Sequence, residues 1–286
     1  MKNLGYIYED AVNATKHALA KGGWMRPPME YVDHLNVKIA NRTDYDDVMR
    51  WWQNQQLSNS DDYLRVLSDF NPKFAYNALQ AAKYDCDLGA ITEYFVTPAY
   101  VDVAEPTLTY GIKQAITLMI MDICRKEKLS VDMLTYYHAT LCKSAVNNNI
   151  VGVFRNHKVE NGSNPALIRG DIKKAIRQAY QFIDFNDTKN YILAMAAYIG
   201  CAIGEISPFE VYNGIMAKLF INYILMMYGL PPVVIPAGEN ELFLEKIRRC
   251  AETEDVIDMV YYLRICAINT WGYIFGWDSN TTFREL

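Results

Sequence analysis

Histidine is scarce in this chain. Four are present in 286 residues, His17, His34, His138 and His157, and no two share helical metal-ligand spacing. A helix-borne HxxxH metal site is therefore excluded. Positive charge is not in excess either. The chain holds 28 Lys and Arg against 33 Asp and Glu, a formal net charge of −5, with a pI near 5.5. The concentrated positive field that nucleic-acid phosphates require is missing. The six cysteines (Cys86, Cys124, Cys142, Cys201, Cys250, Cys266) form no CxxC pair and mostly lie in apolar periodic stretches. They read as buried thiols in a reducing compartment. No apolar run, including the one that holds Ala194–Gly204, reaches the ~18 residues of a membrane span. The opening MKNLGYIYEDAVN lacks the apolar core of an export signal. The expectation is a cytoplasmic protein with neither membrane nor nucleic acid as partner.

What the chain does have is an ordinary globular composition, 51% hydrophobic and 21% charged, and helical periodicity along nearly its whole length. Helices are predicted over Glu9–Lys21, from Asp44, from Ser60, after Pro72, over Thr107–Lys126, and from a Ser130 cap to about Ala145. Others follow from Asp171 to about Asp184, from Asp187 to about Gly204, over Asn213–Tyr228, over Glu241–Ala251, and from a Thr253 cap to about Phe275. Glu30–Thr43 is ambiguous. Strand patterns are nearly absent. The exception is Val151–Ile168, where short apolar alternation surrounds an Asn-Gly pair and predicts a hairpin-like flap. The Asn213–Tyr228 helix is apolar nearly all round, with Lys218 and Asn222 its only large polar side chains, so it belongs at the centre of the fold. Asn213-Gly214 at its start either caps a core helix or offers free N–H groups and a positive dipole end to an anion.

The run SPFEVYNGIMAK, Ser207–Lys218, resembles the signature of the Fic family, H-P-F-x-[D/E]-G-N-G-R-x-x-R. GVFRNHKV, Gly152–Val159, resembles the start of the Fic flap, and AYIGCAIGEI resembles the helix leading into the motif. The likeness covers roughly Thr107–Phe275. It implies an all-α fold, a Fic-like helical bundle around a central buried helix with a short β-hairpin flap. Residues 106–286 would form that domain, and 1–105 a helical region of unknown role.

In active members of the family the motif histidine deprotonates a target hydroxyl, the acidic residue holds Mg²⁺ on a nucleotide, and the helix start cradles phosphates. The usual product is a protein carrying AMP. Carried over by position, the histidine becomes Ser207, the acid Val211, the first glycine Tyr212, the first arginine Ile215 and the second Lys218, while Asn213 and Gly214 are kept. Losing a positioned base typically lowers rate 10²- to 10⁴-fold, and valine offers a metal no oxygen. Tyrosine is a poor occupant of a glycine turn. Glu210 and Glu205 are weak substitute metal ligands. Lys218 is either a phosphate contact or a snorkelling lysine on a buried helix. Tyr84–Gly89, YDCDLG, is the nearest counterpart of the family's inhibitory segment, with Leu88 in the glutamate position and Asp85 or Asp87 conceivable partners of Lys218. His138 sits where the family often carries a structural histidine.

The leading expectation is thus a signalling or regulatory Fic-fold pseudoenzyme that has lost ordinary AMP transfer and needs no cofactor. It would bind a protein segment through Phe154, Arg155, His157, Lys158 and Val159 of the flap, or an anion at Asn213, Gly214 and Lys218. The alternative is an active AMP transferase with an altered mechanism, using ATP and Mg²⁺ on protein hydroxyls. A structural homo-oligomer is the third possibility.

Overall fold

The computed structural model describes residues 44–277 apart from 98–101, 104, 144, 147, 161, 184–188 and 254. The predicted helix at Glu9–Lys21 and the ambiguous Glu30–Thr43 lie outside the described residues. Eleven α-helices are described: α1 Asp44–Gln53, α2 Ser60–Val66, α3 Phe70–Ala81, α4 Leu88–Val96, α5 Pro106–Cys124, α6 Val131–Cys142, α7 Ile168–Gln181, α8 Lys189–Ile206, α9 Asn213–Met227, α10 Asn240–Thr253 and α11 Ile257–Trp271. The fold is all-α, with no strand among the described residues. No described helix is long and apolar enough to cross a membrane.

Local chemistry sets many of the ends. Asn59 caps α2 by accepting from the amides of Asp61 and Asp62, Asp87 caps α4 through Ala90 N–H, and Ser130 caps α6 through Met133 N–H as its sequence position predicts. Lys113 of α5 donates to the carbonyls of Tyr94 and Phe95, filling acceptors at the end of α4. Thr253 is not a cap. It closes α10, donating its hydroxyl to Arg249 O, and Asp255 instead accepts from Ile257 N–H to start α11. That helix also stops at Trp271, where a 3₁₀ turn, Gly272–Phe275, takes over.

Helix α9 is the axis, as its apolar circumference requires: every residue from Ile215 to Met226 is buried. It packs chiefly along α8. Its polar residues are satisfied from within, because Asn222 makes both amide hydrogen bonds to the backbone of Val233, at 2.9 and 2.7 Å. Trp271 of α11 stacks against Phe70 and lies against Trp51 and Trp52, so the core runs across residue 105 without interruption. Helices α5 and α6 approach so closely that a Cβ on Gly111 would lie 2.0 Å from Leu141 O.

Among the described residues the expected hairpin of the flap is not seen: between α6 and α7 they hold 3₁₀ turns at Asn148–Ile150 and Pro165–Leu167 and no strand. Gly162 is needed for space, since its Cβ would lie 2.6 Å from Arg155 Nη2. The segment is an irregular strap whose backbone pairs with the end of α8 at Ile206 and with the loop at Pro208.

Candidate functional site

The site is the loop Ser207–Tyr212 between α8 and α9, together with the strap that crosses it. Both ends of the loop are left-handed, with φ of 45° at Ser207 and 62° at Tyr212. For residues other than glycine each such position costs about 1–2 kcal/mol, so the surroundings must enforce it. Two side chains do so. Asn213 folds back onto the loop, its Oδ1 accepting from Phe209 N–H at 2.9 Å and its Nδ2 donating to Phe209 O at 2.8 Å. It is therefore the first residue of α9 and a loop staple, not the cap. Tyr212 occupies the cap position without a side-chain cap bond.

His138 of α6 is the second enforcer, fully buried and stacked on Phe209 with ring centroids 3.9 Å apart and planes at 2°. Gly152 N–H donates to Nδ1 at 3.1 Å, so that nitrogen carries no proton. The proton therefore sits on Nε2 and is donated to Val211 O at 3.2 Å. Burial pushes the imidazole pKa down to about 4, against the hydrogen bond to Val211. Cys142 Sγ lies 3.3 Å from Nε2, which has the look of a nucleophilic dyad. It is not one. Burial drives the Cys142 thiol up to about 12, and an imidazole that resists protonation cannot stabilise a thiolate. His138 is thus a satisfied core histidine that ties helix, loop and strap together.

Arg155 ties the strap down. It is buried, with its guanidinium donating to the carbonyls of Ser207 and His157 and Ser163, each at 2.6 Å, and of Ile206 at 3.0 Å. Its backbone N–H donates to Pro208 O at 3.0 Å, and Ser163 N–H donates to Ile206 O at 3.2 Å. Arg155 was expected among the contact residues of the flap, but the structure makes it a positioning residue. Phe154 packs against Phe209, Val159 is half-buried, and His157 and Lys158 are exposed. His157 Nδ1 lies 3.3 Å from the Glu210 carboxylate.

The remaining positions fall as follows. Ser207 Oγ donates to Gly204 O at 2.8 Å. Val211 is half-buried, Ile215 is buried, and Gly214 is exposed, with nothing within 4 Å of where a Cβ would stand. Lys218 is buried, and burial lowers its pKa to about 8; Nζ donates to Asn240 Oδ1 at 3.0 Å and lies over the Phe243 ring. Its partner is neither Asp85 nor Asp87, and Asp87 is occupied as the α4 cap. The YDCDLG segment does reach the loop, through Tyr84, whose hydroxyl lies 3.3 Å from that of Tyr212. Leu88 simply begins α4. Burial and the Tyr84 contact push the Tyr212 hydroxyl pKa up, so the hydroxyl stays protonated. Glu205 lies in the last turn of α8, near Tyr198 and Cys250, on the α10 side. Among the described residues no three His, Cys, Asp or Glu side chains converge as metal ligands. Two surface cavities, of about 590 and 400 Å³, sit at the other end of α9 around Tyr228.

No family model matches the sequence, and no curated protein matches it. Solved structures do. A Fic-domain-containing signalling protein from Bacteroides thetaiotaomicron superposes with a TM-score of 0.66 at 18% identity, over 80% of this chain and 95% of that one. Residues 134–508 of Fic-1 from C. elegans give 0.68 at 17% identity, over 87% and 76%. A Fic family protein from Desulfovibrio desulfuricans gives 0.61 at 13%, over 84% and 74%.

Proposed function

We propose that this chain, which has the fold of Fic-domain proteins, is a regulatory binding protein that takes an extended protein segment along the strap and has lost ordinary AMP transfer. The observation that carries the reading is the one-sided pairing of the strap. Arg155 turns its N–H inward to Pro208 O. Its neighbours Phe154 and Asn156, among the described residues, make no backbone hydrogen bond, which leaves their main-chain groups for another chain. Such an edge accepts another extended chain by main-chain pairing. Phe154 against Phe209 and the His157–Glu210 pair hold the strap in place while Lys158 stays exposed to the incoming segment.

The chemistry argues the same way. Ser207 cannot act as a general base near neutral pH, and its hydroxyl is already directed at Gly204 O. Val211 has no metal-binding oxygen, Glu210 is engaged by His157, and Glu205 lies on the α10 side. Asn213 spends its amide on Phe209, and Lys218 is buried under Asn240. An altered AMP transferase using ATP and Mg²⁺ keeps one supporting observation, the open first turn of α9 at Gly214.

Peptides selected against the whole protein from a random library test the reading. Asn156→Pro removes an N–H that pairs with no backbone group and should abolish their binding, whereas Gly214→Asp should leave it unchanged. Binding that survives Asn156→Pro defeats the proposed edge. In parallel, labelled AMP from ATP with Mg²⁺ or Mn²⁺ should not be transferred to the chain or to lysate proteins. Transfer lost in Gly214→Asp, where the new carboxylate repels phosphate, would establish the enzyme instead.

A further inference from the structure

We propose that Cys201 of α8 and Cys250 of α10 are a dithiol that a peroxide closes to a disulfide, covalently joining the two helices behind the motif loop. Gly204 marks where those helices come close, since a Cβ there would lie 2.6 Å from Ile247 Cδ1. Cys201 precedes Gly204 by three residues and Cys250 follows Ile247 by three, which puts them level in an antiparallel contact. The two thiols are electrostatic neighbours, Cys201 being the largest cause of the raised Cys250 pKa, and both residues are about 1% exposed. The other placed thiols have different neighbours: Cys142 meets His138, Cys86 meets Tyr76 O, Cys266 lies by Tyr262, and the exposed Cys124 lies by Asp62 and Tyr63.

The contact with Cys201 and burial both hold the Cys250 thiol well above its ordinary pKa, so that thiol rests protonated and reacts slowly. Reaction proceeds when α10 opens briefly. One thiolate attacks a peroxide oxygen, the O–O bond breaks, and a sulfenic acid and water result. The second thiolate displaces the sulfenic oxygen, which leaves as water after taking a proton. Two thiols and one peroxide thus give one disulfide and two waters. Reclosure returns the sulfurs to a position they already occupy, which favours this pairing over any other.

The place of the bond gives it consequence. The end of α8 supplies the Ile206 carbonyl, and the loop that follows supplies that of Ser207, the two that hold Arg155 against the motif. The first residue of α10, Asn240, holds Lys218. A covalent link between those helices ties the strap's anchor to the base of α9.

The test uses the full chain, reduced and then treated with hydrogen peroxide in sub-denaturing urea, alkylated, and mapped by mass spectrometry. The expected result is a peptide pair joined through Cys201 and Cys250. It should come with a rise of several degrees in the thermal midpoint that reductant reverses and that is absent in Cys201→Ser and Cys250→Ser. Both cysteines remaining reduced, either one going to sulfinic acid without the cross-link, or the midpoint shift persisting in either variant would overturn the proposal. If the variants do not fold, the peptide map of the unaltered protein decides alone.

Discussion

Acid should loosen this protein through His138, and the size of the effect follows from its surroundings. The ring has its ordinary pKa of 6.5 in the unfolded chain and about 4 when buried. Because the folded value is the lower one, the unfolded chain binds more protons between them and stability falls as pH falls. The contribution is present in full above pH 6.5, declines through the interval, and is gone by about pH 4. At about 1.4 kcal/mol per pH unit the loss is about 3 kcal/mol. Structurally, a proton on Nδ1 turns an acceptor of Gly152 N–H into a donor aimed at it. The assay is urea unfolding from pH 8 to pH 4 on the natural chain and on His138→Gln, whose amide can still donate toward Val211 O. Carboxylates titrating in the same window cancel in the difference between the two chains. The His138→Gln curve should start about 2–3 kcal/mol lower, from the lost stacking and the unpaired Gly152 N–H, and should converge on the natural curve by pH 4. A difference that stays constant across the range would refute the neutral, Nε2-protonated assignment.

Three further outcomes are expected. Gly111→Ala forces a methyl into the Leu141 backbone and should destabilise the chain by about 3 kcal/mol or more in chemical unfolding, because a carbonyl cannot swing aside as a side chain can. Arg155→Lys keeps the charge but only a point donor, so it should lower stability by about 3 kcal/mol, and amide exchange at Ser163 should quicken. Lys218→Met removes a buried ammonium. Since the folded lysine titrates at about 8 rather than 10.5, its own contribution grows as pH rises from 8 to 10.5; Lys218→Met lacks that rise, so the difference between Lys218→Met and the natural chain should change over the interval. A Lys218→Met chain unfolding in parallel with the natural one over that interval would show the amine to be solvated.

The sequence by itself determined the order of the described helices apart from α4, which its reading does not announce, because apolar spacing and capping residues are local properties. Ser130 before α6 and the apolar girth of α9 could be read directly, and SPFEVYNGIMAK located the loop between α8 and α9. Where the local signal was ambiguous the expectation failed. Thr253 reads as a cap although Asp255 stands two residues on, and Asn161-Gly162 reads as a hairpin turn although a Cβ on Gly162 would meet Arg155. Only the tertiary structure decided what the polar residues of the site do. Arg155, Asn213 and Lys218 carry groups that suit ligands equally well, but an unpaired buried donor or acceptor is costly, so each was claimed by the nearest complementary backbone or side-chain atom once the chain had packed. Those partners lie up to 52 residues away for Arg155, 73 for His138 and 128 for Tyr212, distances over which residue type and periodicity carry no information.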